Sequence, residues 1–184
     1  MNLKSKYHAV ALGCIFAVLP LHGFAQNTAF NDGPVIKTFG QHALVPTHQV
    51  SLQSQFKVTF DVGSTSSEPD TINRKFNSLA RFINMHVASG VKQTNIHLAL
   101  VIHGKAIFDL LNDANYQHKY GVKNPNKPLL AELMANNVKV ILCGQSAAAQ
   151  QVTPSDLIEG VELELSAMTA HALLQQNGYT VNPF

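Results

Sequence analysis

The 184-residue sequence is poor in charge: Asp, Glu, Lys and Arg make up 13% of it, about half the usual share. Hydrophobic residues account for an ordinary 46%, so the composition excludes a globally disordered chain. The excess of 13 basic over 11 acidic residues comes from Lys4 and Lys6, near the N-terminus. Without them no basic stripe remains, which argues against binding to nucleic acid or anionic lipid. The length fits one domain.

Long apolar runs are also lacking, apart from one near the N-terminus. Residues 1–25 comprise a basic start, an apolar run over 9–21 and a small-residue end, which is the plan of a secretory signal peptide. The uninterrupted part of the run has about 11 residues, short of the roughly 20 that span a bilayer. A lipoprotein signal at Cys14 is disfavoured because apolar residues continue after it. We predict cleavage after Ala25 and a soluble, periplasmic protein without a membrane segment.

Cysteine is scarce, with 2 residues in the whole sequence. Cys14 lies in the predicted signal peptide, so the mature chain would keep only Cys143. A single cysteine excludes an internal disulfide, although an oxidising compartment would permit one. The thiol of Cys143 is therefore buried and inert, paired between chains, or used chemically.

The hydrophobic pattern predicts an extended arm followed by one α/β domain. Residues 26–54 are rich in Gln, Asn, Gly, Pro and Thr and are expected to lie along the domain surface. Over residues 55–184, strand-like segments alternate with segments of helical spacing, which predicts a three-layer α/β/α domain with a mainly parallel sheet of about five strands. The first helix is predicted to begin within 67–70. In a later strand Val161, Leu163 and Leu165 alternate with Glu162 and Glu164, which predicts a strand with one wet face.

Ligands of open parallel sheets bind beyond the carboxyl ends of the strands, and Cys143 follows a predicted strand there. It precedes a predicted helix start, where unpaired N–H groups favour a thiolate. His103, at the end of a neighbouring strand, could accept the thiol proton. The alternatives are a buried structural cysteine and a structural histidine. Further strand-end residues are candidate substrate-binding groups: Asp61, Ser64, Gly144, Gln145 and Ser146.

Other site chemistries find little support in the sequence. Residues 63–66 lack the spacing and the lysine of a phosphate-binding loop, and no Gly-x-Ser-x-Gly motif occurs. The seven histidines after the predicted signal are scattered, so neither a metal nor a cofactor is expected. His86 would lie roughly 24 Å along its predicted helix, near the opposite edge of the sheet, in packing or a subunit contact.

Several short motifs carry a family resemblance. They are VIHGKA at 101–106, NPN at 124–126, LCGQS at 142–146 and LQQNGY at 174–179, with RFINMH at 81–86 and SAMTA at 166–170. Together they resemble the DsrE/DsrF-like family, and more narrowly its exported single-domain branch, over about residues 56–184. The resemblance implies a three-layer α/β fold and oligomers.

The sulfur-relay members of that family carry a persulfide on a cysteine after the third strand, and Cys143 matches that position. Small residues follow it at 147–149, as in those members. They are cytoplasmic and have dedicated partner proteins, whereas this chain has a predicted export signal. The sequence thus departs from the relay members in its expected compartment.

Two functional hypotheses fit these observations. The first is a periplasmic sulfur carrier or sulfurtransferase that holds sulfane sulfur as a persulfide on Cys143, with a small sulfur compound or a thiol-bearing protein as partner. The second is a non-catalytic binding or assembly module in which Cys143 is buried. A homo-oligomer is expected, since no net charge on the mature chain opposes contact between copies.

Overall fold

A computed structural model describes residues 30–182. The predicted signal peptide and residues 26–29 of the predicted arm lie outside this range. The strands are β1 (Phe30–Asn31), β2 (His42–Ala43), β3 (Phe56–Val62), β4 (Ile96–Ile102), β5 (Lys139–Cys143), β6 (Glu162–Glu164) and β7 (Thr180–Asn182). The α-helices are α1 (Arg74–Ala88), α2 (Asp113–Tyr120), α3 (Lys127–Ala135), α4 (Gly144–Ala149) and α5 (Ala167–Gln176). None of the helices within residues 30–182 combines the length and the apolar character needed to cross a membrane.

Strands β3 to β7 form one five-stranded parallel sheet in the order β6-β5-β4-β3-β7. This confirms the predicted α/β class and the strand number. Within this sheet the chain passes first through β3 and then outward through β4 and β5 to β6. It then crosses back to β7, which lies beside β3. The carboxyl ends of all five strands therefore lie along one edge of the sheet, called the site edge below.

Helices cover both faces of the sheet. Helices α1 and α3 pack on a large apolar cluster on one face, and α5 packs on a smaller cluster on the other, where Val101 and Ile141 meet Leu174. Asp61, Val101 and Ile141 are in register across β3, β4 and β5. Since residues two apart in a strand share a face, the register places Asp61, His103 and Cys143 on the α5 side.

The first helix begins later than the sequence pattern predicts. Its expected start at 67–70 is wrong, because α1 begins at Arg74 with Asn73 as N-cap. The residues before it form a loop tied to the buried carboxylate of Asp109. Thr65 Oγ1 donates to this carboxylate at 2.5 Å and Asn73 Nδ2 donates at 2.8 Å. The loop is therefore fixed by a residue distant in sequence.

The arm is fastened to α1 by one buried amide. Asn84 Oδ1 accepts hydrogen bonds from the N–H groups of Ile36 (3.0 Å) and Val35 (3.3 Å). Asn84 Nδ2 donates to the carbonyls of Ile36 (2.9 Å), Phe39 (2.9 Å) and Gly40 (3.2 Å). Ile36 is buried in the larger core cluster. This part of the arm therefore contributes to the core as well as to the surface.

His86 packs near the start of β3, at the amino ends of the strands and opposite the site edge, as its place along the helix predicts. Its ring centroid lies 4.4 Å from that of Phe56 and 4.1 Å from that of Phe82. Its Nδ1 lies 2.7 Å from the Phe82 carbonyl oxygen. Burial lowers the pKa of His86, which favours a neutral packing residue.

The strand predicted around β6 has less than one covered face: Val161 packs against the larger core cluster, but the two leucines after it do not. Leu163 is 53% exposed and Leu165 is 68% exposed, and Met168 in the following helix is 80% exposed. The physical reason is the strand order, because β6 is the outermost strand and pairs only with β5. These three side chains are called the β6 patch below.

Candidate functional site

Cys143 ends β5 at the site edge and immediately precedes α4. It is only 5% exposed. Its sulfur accepts hydrogen bonds from the Ser146 hydroxyl and from the backbone N–H groups of Ser146, Ala167 and Gln145. Burial opposes ionisation, but these hydrogen bonds outweigh it and lower the pKa of the Cys143 thiol below its ordinary value. The site therefore stabilises a thiolate.

The N–H donors at the sulfur come from two different helices. Gln145 and Ser146 lie in the first turn of α4, and Ala167 is the first residue of α5. The first N–H groups of a helix have no partner within the helix. Two helix starts thus converge on one sulfur atom, which explains a lowered thiol pKa without any nearby cation.

Gly144 and Gln145 contact the chain segment between β6 and α5. A Cβ atom on Gly144 would lie 2.8 Å from the Glu164 carbonyl oxygen and 3.1 Å from that of Leu165. Gln145 Nε2 donates to the Leu165 carbonyl at 3.3 Å. The sequence suggested that both residues face a substrate. In the structure they also place the segment that leads into α5, and their role in binding a substrate stays a prediction.

Ser146 connects the turn after β5 to the turn after β4. Its Oγ accepts a hydrogen bond from the Gly104 N–H at 3.0 Å. A hydroxyl that accepts from one neighbour can still donate its own proton to another, here the Cys143 sulfur. Ser146 therefore contacts the thiolate directly, and its role in binding a substrate stays a prediction.

Asp61, His103 and His171 form a second group at the same edge. Asp61 Oδ1 lies 2.8 Å from His171 Nε2, and Asp61 Oδ2 lies 3.2 Å from His103 Nε2. Burial opposes ionisation of Asp61, but the hydrogen bonds from His171 and His103 lower the pKa of its carboxyl group. Because a carboxylate only accepts hydrogen bonds, each histidine carries a proton on Nε2.

His103 is oriented by Asp61 and packs against Gly63. The imidazole ring leaves no space for a side chain at position 63. A Cβ atom on Gly63 would lie 2.6 Å from His103 Cε1. The hydrogen bonds that lower the Cys143 pKa come from Ser146, Ala167 and Gln145. The structure thus gives His103 a carboxylate partner in place of the direct thiol contact that the sequence suggested.

Sequence reasoning did not select His171. The residue lies 110 positions from Asp61 in the chain, and nothing local marks it as special. Its location becomes informative only when α5 is known to lie over the site edge. Within residues 30–182, no group of three or more His, Cys, Asp or Glu side chains could hold a metal ion.

Ser64 lies apart from the thiol. It is exposed and lines a cleft of about 450 Å³ at the start of α1, whose lining does not include Cys143. Its carbonyl accepts a hydrogen bond from Asn73 Nδ2 at 3.0 Å. The geometry therefore connects Ser64 with the loop before α1 and not with the sulfur.

The fold and the site together define a small α/β protein with a hydrogen-bonded cysteine at the carboxyl edge of a parallel sheet. The sequence profile of the DsrE/DsrF-like family matches residues 57–183. The chain belongs to the DsrE/DsrF-like family, which is generally linked to sulfur relay.

Two solved structures share the fold. The protein MTH1491 of Methanobacterium thermoautotrophicum, described as of unknown function, has 15% identity and a TM-score of 0.53, over 71% of this chain and 100% of its own. The YchN protein of E. coli has 24% identity and a TM-score of 0.50, over 71% of this chain and 99% of its own. At these identities the likeness concerns the fold alone. A comparison with curated proteins gave no match.

Proposed function

We propose that this protein is a periplasmic sulfur carrier that holds sulfane sulfur as a persulfide on Cys143. One observation carries the proposal: Cys143 ends a buried parallel strand at the site edge, directly before α4, where hydrogen bonds from Ser146 and neighbouring N–H groups lower the pKa of its thiol. These donors favour the thiolate, which is the nucleophilic form of cysteine. Membership of a family linked to sulfur relay supports the same function.

In the proposed loading step, the Cys143 thiolate attacks the outer sulfur of a sulfane-sulfur donor such as thiosulfate. A sulfur–sulfur bond forms at Cys143 while the sulfur–sulfur bond of the donor breaks, and sulfite leaves with the electron pair. The product is the Cys143 persulfide anion. No external oxidant or reductant is needed.

In the proposed unloading step, an acceptor thiolate attacks the outer sulfur of the persulfide and takes it. The sulfur–sulfur bond at Cys143 breaks, and the Cys143 thiolate leaves. The donors that lower the thiol pKa also stabilise this leaving group. Cys143 is the one cysteine among the described residues, so this part of the chain offers no second thiol that could discharge the persulfide as a disulfide.

His103 is the candidate for proton transfer at this edge. Ile102 and Leu142 are paired in the parallel register, and His103 and Cys143 follow them on adjacent strands. Asp61 holds the His103 Nε2–H, which leaves Nδ1 as the nitrogen available to an incoming acceptor thiol. In this proposal His103 acts on the acceptor and not on the Cys143 thiol.

The proposal includes assembly of several copies of the chain. The β6 patch exposes two leucines and one methionine, and its Leu165 adjoins the site because the Leu165 carbonyl accepts a hydrogen bond from Gln145 Nε2. Contact between copies would remove this apolar surface from water. A thiol-bearing partner protein would then approach the sulfur beside a subunit boundary.

One observation favours a different function. Cys143 is 5% exposed, as a structural cysteine in a non-catalytic assembly module would be. Alkylation of the native protein separates the two candidates. A structural thiol reacts only after unfolding, whereas a carrier thiol reacts in the native state.

The decisive experiment is the intact mass of the purified mature protein after incubation with thiosulfate or polysulfide. We expect a gain of about 32 Da, one sulfur atom, that disappears on reduction with a thiol. Cys143→Ser should show no gain while it keeps the wild-type circular dichroism spectrum. A wild-type protein that gains no mass and resists native alkylation would overturn the carrier function.

A further inference from the structure

Helix α5 contacts the candidate site at two places. The N–H of Ala167, its first residue, donates to the Cys143 sulfur. One turn later, His171 Nε2 bonds to Asp61 Oδ1 at 2.8 Å. The start of α5 therefore meets the sulfur on β5 through a backbone N–H, and its next turn meets the carboxylate on β3, two strands away, through a side chain.

The Asp61 bond fixes the orientation of the His171 imidazole. The side chain is 17% exposed, and its Nδ1 is buried without a hydrogen-bond partner among the described residues. Because ionised Asp61 accepts only, the bond requires the proton to be on Nε2. The ring thus ties α5 to the end of β3 through one charge-assisted hydrogen bond.

The other contacts at the start of α5 are modest. The preceding strand β6 has three residues and forms the outer edge of the sheet. The helix rests on the sheet through Ala170 and Leu174, and Ala167 is partly buried against the same cluster. Gln145 holds the segment before it by a hydrogen bond of 3.3 Å. His171 therefore adds one directional hydrogen bond to the apolar packing that places the Ala167 N–H.

We propose that His171, through Asp61, is a positioning residue that holds the first turn of α5 against the Cys143 sulfur. The inference rests on the proposed function, since it explains how the nucleophile of that reaction is kept ionised. It assigns a role to a histidine that does not touch the sulfur. It also separates the roles of the two histidines that share Asp61.

A matched pair of variants tests this role. His171→Ala and His103→Ala each remove one hydrogen-bond donor from the same carboxylate, but only His171 belongs to α5. We expect Cys143 of the His171→Ala protein to be alkylated about tenfold more slowly near neutral pH, with a higher midpoint in the pH profile. The reason is that the Ala167 N–H is then no longer held at the sulfur, and one hydrogen bond to a charged atom is worth about this factor. His103→Ala should raise the midpoint less than His171→Ala does, because His103 does not belong to α5. His171→Gln, whose amide can donate to Asp61, should restore most of the rate.

The probe is iodoacetamide, used on the full mature chain. An unchanged midpoint in His171→Ala, or an equal rise in His103→Ala, would overturn the inference. If the alanine variant does not fold, His171→Leu keeps the bulk without the donor and is compared with His171→Gln instead. Thiosulfate loading is measured separately by mass. A wild-type protein that takes no sulfur refutes the proposed function, while a shifted midpoint in His171→Ala still supports the positioning role.

Discussion

The Gly104 N–H donates a 3.0 Å hydrogen bond to Ser146 Oγ, so the turn after β4 orients the hydroxyl that bonds the Cys143 sulfur. Gly104 has a positive φ of 56°, and a Cβ atom there would lie 2.8 Å from the Gly63 carbonyl oxygen. Both features favour glycine at this position. The environment of the thiol is therefore built partly by the backbone of the neighbouring strand.

Ser146→Ala should reduce native alkylation of Cys143 at neutral pH by about tenfold, which is what one hydrogen bond to a charged atom is worth. The reason is that the Ser146 hydroxyl is the strongest of the donors that lower the thiol pKa. The rate of iodoacetamide reaction against pH measures the effect. Ser64→Ala, an exposed serine in a separate cleft, is the matched control and should react like the wild type. Equal rates in all three proteins would contradict the role of Ser146.

Asn84→Ala should release the arm from α1. The substitution leaves several buried backbone groups of residues 35–40 without partners, and we expect the free energy of unfolding to fall by about 1–3 kcal/mol. Limited proteolysis should then cut within residues 32–50. Asn177→Ala, at the exposed end of α5, should leave the arm protected. A cleavage pattern identical to that of the wild type would show that Asn84 does not fasten the arm.

Asp109 should make the stability depend on pH in the acid range. Burial raises the pKa of its carboxyl group above the ordinary value of 3.8, although hydrogen bonds from Thr65 and Asn73 oppose the shift. Below pH 3.8 the carboxyl group is protonated in both the folded and the unfolded protein, and its contribution to the free energy of unfolding is full. As the pH rises through the higher pKa of the folded state, the unfolded state ionises more readily and this contribution is lost. Asp109→Asn, which carries no charge, should therefore gain stability relative to the wild type on going from pH 3.5 to about 7. Urea unfolding across this range measures the difference, and a constant difference would contradict the prediction.

The wild-type protein should self-associate, and Leu165→Glu or Met168→Glu should weaken the association. Either change places a charge in the β6 patch, where contact with another copy would have to desolvate it. Light scattering over a range of micromolar concentrations measures the mass. Leu44→Glu changes an equally exposed leucine on the arm and should keep the wild-type mass. A wild-type monomer at every concentration would refute the assembly.

Local sequence patterns predicted the main strands and helices and the place of Cys143 at a strand end. Contacts between residues distant in sequence determine the features that were not predicted. The alternation of strands and helices over residues 55–184 was predictable because each periodic pattern is contained within its own segment. The start of α1 was missed because Asp109, 36 residues beyond Asn73, fixes the preceding loop. The role of His171 depends on where α5 crosses the sheet, which one sequence does not encode locally. The exposure of Leu163 depends on strand order in the same way.

The Asn84 amide that fastens the arm has a consequence for the order of folding. Its partners in the arm precede it by 44 to 49 residues. A ribosome therefore completes the arm before it makes the residue that binds it. The arm is thus held in place by a side chain that does not yet exist when the arm itself has been synthesised.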